Sequence, residues 1–140
     1  MSEESELPMN RKCNILVVDD EANVLLTYRL ILEQQGYSVS AAISSEKARE
    51  AIREGNIDLL LCDLSLEKQE NGFDVIDFAR QNDPAMPAVL LTGYATPEAT
   101  EHAQELAIPV LFKPIDIKEL LDTISGLLKE NYEQQHEAAG

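Results

Sequence analysis

Apolar residues along this chain fall into two alternating rhythms. Short, mostly apolar runs occur at Asn14–Val18, at residues 57–62, at 88–91 and at 108–112. Each is bounded by glycine, proline or charged residues, the mark of a buried strand. Between the runs, apolar residues return every three or four positions, the spacing of one helix face. Residues 22–35 carry Val24, Leu25, Tyr28, Ile31 and Leu32 in this rhythm, and Gly36 follows as a stop. Residues 37–41 alternate apolar and polar, which predicts a strand with one wetter face near a sheet edge.

The rest of the chain continues the alternation. Ser44 and Ser45 offer an N-cap for a helix over 46–54, and Gly55 ends it. After the run ending at Asp63, a polar loop leads to Asn71-Gly72, and Phe73, Ile76, Phe78 and Ala79 set the apolar face of a third helix. Two prolines, Pro84 and Pro87, separate it from the strand over 88–92. Thr96 and Pro97 predict the start of a fourth helix, to 106, that is poor in large apolar residues and so lightly packed. The last helix opens with Asp116 and Glu119 as a capping-box-like pair. It runs on Ile117, Leu120, Leu121, Ile124, Leu127 and Leu128, with a polar tail expected to fray from Glu130.

Five strands alternating with five helices predict an α/β fold: right-handed crossovers and a parallel sheet covered on both faces. Strand order 2-1-3-4-5 is the natural arrangement for five. A length of 140 residues and an apolar fraction of 44% suit one domain with a real core. Residues 1–12 read as a loose leader, 13–130 as the domain and 131–140 as a polar tail.

Charge narrows the function classes. Eleven basic against 26 acidic residues leave a formal charge of −15. That opposes direct binding to nucleic acid or to an anionic membrane. No apolar run approaches the roughly 20 residues that cross a bilayer. The acidic N-terminus does not read as a signal peptide. Cys13 and Cys62 fall at opposite ends of neighbouring strands, too far apart to pair, so both are expected as free thiols in a cytoplasmic protein.

The strand ends carry the candidate chemistry. In open parallel sheets, ligands sit beyond the carboxyl ends of the strands. There the first strand supplies Asp19 and Asp20, the third Asp63, the fourth Thr92 and the fifth Lys113. Two carboxylates about 4 Å apart repel by roughly 4 kcal/mol at an effective dielectric of 20. Either they take up protons or a hard cation sits among them, and an all-oxygen set suits Mg²⁺ working with a phosphate. A carboxylate is a competent nucleophile for phosphoryl transfer, a lysine and a metal stabilise the transferring group, and a threonine hydroxyl can bond one of its oxygens. Singly, each residue has a plainer reading. Asp19-Asp20-Glu21 could be the acidic first turn of a helix, and Thr92 or Lys113 a turn or a solvated strand end.

Together, Val17-Val-Asp-Asp-Glu21, Asp63 after its apolar strand, Leu91-Thr92-Gly93 and Lys113-Pro114 resemble the receiver domain of two-component response regulators over nearly the whole chain. The resemblance implies a flavodoxin-like doubly wound fold and a phosphoacceptor that assists its own phosphorylation rather than an enzyme. Asp63 would take the phosphoryl group from a histidine kinase or phosphotransfer protein. Asp20 would bind Mg²⁺ directly, Asp19 largely through water, and the backbone carbonyl of Ser65 would complete the site with Asp63. Lys113 would contact the phosphoryl group, Thr92 would move to bond it, and the Lys113-Pro114 bond would be cis. The fourth helix, fifth strand and fifth helix would form the output face for an unidentified partner, and homodimerisation through it stays open.

Three features depart from the family pattern. Leu66 is followed by Glu67 rather than proline, and the loop to Gly72 looks about one residue too long. Val110 stands where the family has a switch aromatic. Tyr94 and Ser65 stand at positions that tune phosphate lifetime, and a bulky Tyr94 is expected to hinder the attacking water. Alternatives are a phosphorylation-independent interaction module and, less well supported, an aspartyl-nucleophile phosphatase, for which Ser65 stands where a second aspartate is needed. A flavodoxin-type electron carrier would need a phosphate loop where this chain has Asp-Asp-Glu. Met1 favours a true start, and the chain reads as a stand-alone receiver or one piece of a longer protein.

Overall fold

A computed structural model of the protein describes residues 12–66 and 71–139, with side chains as far as residue 134. The chain runs β1 (Asn14–Val18), α1 (Ala22–Gln34), β2 (Ser38–Ala42), α2 (Ser45–Glu54), β3 (Leu59–Asp63), α3 (Gly72–Asn82), β4 (Ala88–Thr92), α4 (Pro97–Glu105), β5 (Val110–Phe112) and α5 (Ile117–Ala139). The strands form one parallel sheet in the order β2-β1-β3-β4-β5, the arrangement expected. In-register pairing sets Val18 beside Cys62, Asp63 beside Leu91, and Thr92 beside Phe112. The chemistry-bearing strand ends therefore share one edge of the sheet.

Alternate side chains on each strand point to opposite faces, and the core divides accordingly. Ile15, Val17, Leu59, Leu61, Val89 and Leu91 meet α1 and α5 through Leu25, Leu32, Leu120 and Ile124. Leu16, Val18, Leu60, Cys62 and Leu90 meet α2, α3 and α4 on the other face. Leu59, Leu60 and Leu61 are wholly buried, as a strand covered on both sides requires. The edge strand β2 is only partly covered, in keeping with its alternating sequence.

Local signals set most helix ends. Ser44 and Thr96 accept hydrogen bonds from the backbone N–H of Lys47 and Ala99. Asn71 and Asp74 form a reciprocal capping box. Gly55 closes α2 in the left-handed region, at φ 87°. Only Ala103 of α4 is buried, so this helix is as lightly held as its composition implies.

Several expectations shift. β3 starts at Leu59 rather than 57: Asp58 N–H still donates to the Asn14 carbonyl at 2.8 Å, but the Asn14 N–H goes to the Asp58 side chain at 2.7 Å instead of to a backbone carbonyl. β5 starts at Val110 rather than 108: Ala107 turns the chain at φ 58°, and Pro109 has no N–H for the ladder. In α3, Val75 fills the core and Phe78 lies half-buried beneath the Arg53 guanidinium, 5.2 Å from its ring centre. The final helix continues to Ala139, through the stretch read as a fraying tail. All of the expected leader, residues 1–12, but its last residue, and the loop stretch 67–70 that carries the extra residue, lie outside the described residues.

Neither Cys13 nor Cys62 takes part in a disulfide. Burial, reinforced by the charge of Asp63, pushes the Cys62 thiol well above its ordinary pKa, so it behaves as a small hydrophobe.

Candidate functional site

The carboxyl end of β1 delivers Asp19 and Asp20, and that of β3 delivers Asp63. Oxygen atoms of these three carboxylates lie within 4.8 Å of one another. At such spacing two full charges repel by roughly 3 kcal/mol at an effective dielectric of 20. Asp19 is 2% exposed and Asp63 8%, so water does little to screen them.

Part of the repulsion is offset from β5. The Lys113 Nζ donates to Asp63 Oδ2 at 3.1 Å and stands 3.9 Å from Asp19 Oδ2. The Asp63 hydrogen bond and the charges of Asp63 and Asp19 outweigh the effect of burial and hold the Lys113 ammonium above its ordinary pKa. The lysine reaches this position because Lys113 N–H donates to the Thr92 carbonyl at 2.8 Å, extending the β4–β5 ladder to the edge. The next peptide bond, Lys113-Pro114, is cis, as expected.

The remaining carboxylate oxygens are unequally served. Asp63 Oδ1 accepts from Ser65 N–H at 3.3 Å, and Asp19 Oδ1 from Glu21 N–H at 2.9 Å. Among the described residues, the buried Asp19 Oδ2 has no hydrogen-bond partner. Burial, with the charge of Asp63 added, raises the Asp19 pKa to about 6, against the pull of the Glu21 N–H and Lys113. A buried anionic oxygen that takes no hydrogen bond, beside two further carboxylates, is a donor set for a hard divalent cation. Asp19, Asp20 and Asp63 fit Mg²⁺ on these grounds.

Thr92 ends β4 with its side chain buried, but its hydroxyl is turned to its own turn. Oγ1 donates to the Tyr94 carbonyl at 2.6 Å and accepts from Tyr94 N–H at 3.1 Å. Tyr94 itself is 76% exposed. Val110 is only half-buried and packs against the α2–α4 face of the core. Its neighbour in that direction, Phe112, is register partner to Thr92 and 53% exposed.

Two residues at the site escaped the sequence reading. The helical spacing puts Tyr28 only on the apolar face of α1. Its phenol feels Lys113, Asp19 and Asp63, and burial first and the two carboxylates next raise its pKa against the pull of the lysine. Gly72 looked like a turn residue, but it is buried against the backbone of Asp63. Neither contact leaves a local mark, since each depends on which helix face meets the sheet.

Comparison with known proteins agrees with the geometry. The profile of the family described as "Response regulator receiver domain" matches residues 15–125. The transcriptional regulatory protein ZraR of Escherichia coli K12 is 32% identical over 120 residues, covering 85% of this chain and 27% of that protein. The alginate biosynthesis transcriptional regulatory protein AlgB of Pseudomonas aeruginosa is 36% identical over 110 residues, 78% of this chain and 24% of that one. The chain thus spans about a quarter of the length of these curated relatives. Among solved structures, a CheY-like receiver domain protein of Methanospirillum hungatei superposes with a TM-score of 0.82 at 27% identity, covering 89% of this chain and 99% of that one. A receiver protein of Sinorhizobium medicae gives 0.78 at 32% identity, over 86% and 97%.

Proposed function

Because the chain belongs to the response regulator receiver domain family, we propose that it is a phosphorylation-controlled switch with Asp63 as phosphoacceptor. The donor is a phosphohistidine on a kinase or phosphotransfer protein. An Asp63 oxygen attacks phosphorus, the P–N bond to the imidazole breaks, and an acyl phosphate forms on the aspartate. The observation that carries this reading is the Asp63–Lys113 contact at 3.1 Å beside an Asp19 oxygen that takes no hydrogen bond among the described residues. It sets a nucleophile against a cation at a place already prepared for a second one.

Asp19, Asp20, Asp63 and the Ser65 carbonyl would hold Mg²⁺, which when bound supplies positive charge for the phosphoryl oxygens. Lys113 is placed to move from the carboxylate to a phosphoryl oxygen and so balance the charge that arrives. Thr92 is the element that changes partner. Its hydroxyl gives up the Tyr94 carbonyl for a phosphoryl oxygen, which frees the turn leading into α4. With a single buried residue, α4 has little packing to resist a shift. The face made by α4, β5 and α5 then presents a different surface to an output partner. The chain promotes its own phosphorylation and turns over no substrate.

Two-component relays of this kind work in the cytoplasm, and that is the compartment proposed. Among the described residues, no helix is long and apolar enough to cross a membrane. The relatives' names refer to transcriptional regulation, and this chain corresponds to the quarter of their length that would receive the signal.

The test is incubation with Mg²⁺ and acetyl phosphate, read by intact mass, with Asp63→Asn alongside. A phosphoryl adduct on the wild type and none on the variant is the expected result. No adduct on a wild type that binds Mg²⁺ would leave the alternative of a phosphorylation-independent interaction module.

A further inference from the structure

Gly72 has no conformational reason to be glycine. Its φ lies outside the left-handed region, and as the first residue of α3 it holds a position open to any good helix former. The constraint is space. A Cβ built on it would lie 2.6 Å from Leu90 Cδ2, 2.8 Å from the Asp63 carbonyl oxygen and 3.3 Å from Cys62 Cβ. The helix is pinned in this position from both sides. Gly72 N–H donates to the Leu64 carbonyl at 2.9 Å, Asn71 bridges to Ser65, and the Asn71–Asp74 capping box fixes the first turn.

The two short contacts differ in kind. Leu90 Cδ2 ends a flexible side chain and can rotate away. The Asp63 oxygen belongs to the backbone of the residue that ends β3, and it moves only by taking Asp63 with it. The Asp63 carboxylate has narrow tolerance, since it holds Ser65 N–H at 3.3 Å and Lys113 Nζ at 3.1 Å. Ordinary van der Waals contact begins at 3.4 Å, so a β-carbon at position 72 demands a displacement of about half an ångström. Misplacement on the ångström scale can cost a reaction about a hundredfold.

The geometry points to Gly72 as a positioning residue for phosphorylation: the bare Cα of the α3 N-terminus acts as the stop against which the Asp63 backbone, and through it the carboxylate, is seated. This rests on Asp63 being the phosphoacceptor and assigns Gly72 its part in that reaction.

Four proteins test it: wild type, Gly72→Ala, Leu90→Val, and the double variant, in which the loss of Leu90 Cδ2 relieves the side-chain clash but not the backbone one. Phosphorylation by acetyl phosphate is followed by intact mass, Mg²⁺ affinity by titration, and folding by thermal melting. Leu90→Val should phosphorylate at the wild-type rate. Gly72→Ala should slow at saturating acetyl phosphate by roughly tenfold or more, with Mg²⁺ binding weakened in parallel. The double variant should regain most of the melting temperature while staying slow. That split separates positioning from packing, and it survives if Gly72→Ala alone folds poorly. A double variant with the wild-type rate, or a folded Gly72→Ala within twofold of it, would overturn the inference. If the wild type itself takes no phosphoryl group, the phosphoacceptor reading fails instead. The Mg²⁺ titration then decides for Gly72: weaker binding in the double variant supports it, and equal binding overturns it.

Discussion

Replacing Asp19 by asparagine should stabilise the protein when no divalent metal is present. Asp19 is 2% exposed, and its pKa rises from 3.8 unfolded to about 6 folded, first through burial and then through the charge of Asp63. The sign follows from proton linkage. A carboxyl with a raised folded pKa favours folding while it stays protonated, below 3.8. That contribution is lost as pH rises through about 6, because the folded state must then hold a charge it would rather not carry. A shift of roughly two units is worth about 3 kcal/mol once ionisation is complete. Asparagine keeps the shape and the oxygen that accepts from Glu21 N–H, but carries no charge. At pH 7.5 in EDTA, urea denaturation should therefore show Asp19→Asn more stable than wild type by about 2–3 kcal/mol. In a thermal melt this is on the order of 5–10 °C for a chain of this size. Near pH 4.5 the gap should shrink to about 1 kcal/mol, since folded Asp19 is already protonated there. Saturating Mg²⁺ should stabilise the wild type, by binding only the folded state, and leave the variant little changed. A variant equal to or weaker than wild type in EDTA at pH 7.5 would refute the argument, because it would mean that the Lys113 ammonium, 3.9 Å away, already compensates the buried charge.

Two other substitutions probe parts of the site and its surroundings. The exposed ring of Tyr94 flanks the turn after Thr92, so Tyr94→Ala should open the phosphorylated Asp63 to water; dephosphorylation should quicken by roughly fivefold, about 1 kcal/mol of barrier, and an unchanged or slower rate in a phosphate-release assay counts against the shielding role. Arg80 ties α3 to the far end of α4 by donating to the Met86 carbonyl at 3.0 Å and the Leu106 carbonyl at 2.8 Å. Arg80→Met keeps the stem and strands both carbonyls, so chemical denaturation should show a loss of about 2 kcal/mol, and hydrogen exchange should rise around residues 103–108 while phosphorylation of Asp63 stays at the wild-type rate.

The alternation of apolar runs with 3.6-residue periodicity was enough to find all five strands and five helices, and all of their ends but that of α5 within a few residues, because each signal is local: a run, a cap, a glycine or a proline. It also named Asp19, Asp20, Asp63, Thr92 and Lys113, since a polar residue that ends a buried strand of a parallel sheet has only one place to go. What stays local stays legible. The misplaced residues follow this rule too, since the Asp58 side chain takes the backbone N–H of Asn14, 44 residues away, and Phe78 lies beneath Arg53 of the neighbouring helix.

Tertiary structure decided the rest. The 3.1 Å contact between Asp63 and Lys113 joins residues 50 positions apart and exists because β4 lies between their strands and carries Lys113 to the sheet edge. The raised pKa of Asp19 comes from burial and from Asp63, neither of which is encoded at position 19. The Thr92 hydroxyl faces its own turn, a choice among partners that only packing could settle. Gly72 shows the division most plainly. In sequence it is one more turn residue before a helix, and in the fold it is the only side-chain volume that lets α3 close against the Asp63 carbonyl. Sequence determined which chemical groups reach the carboxyl edge, because strand ends are set by short-range patterns. Their distances, charges and freedom to move were set by the long-range packing of helices on the sheet.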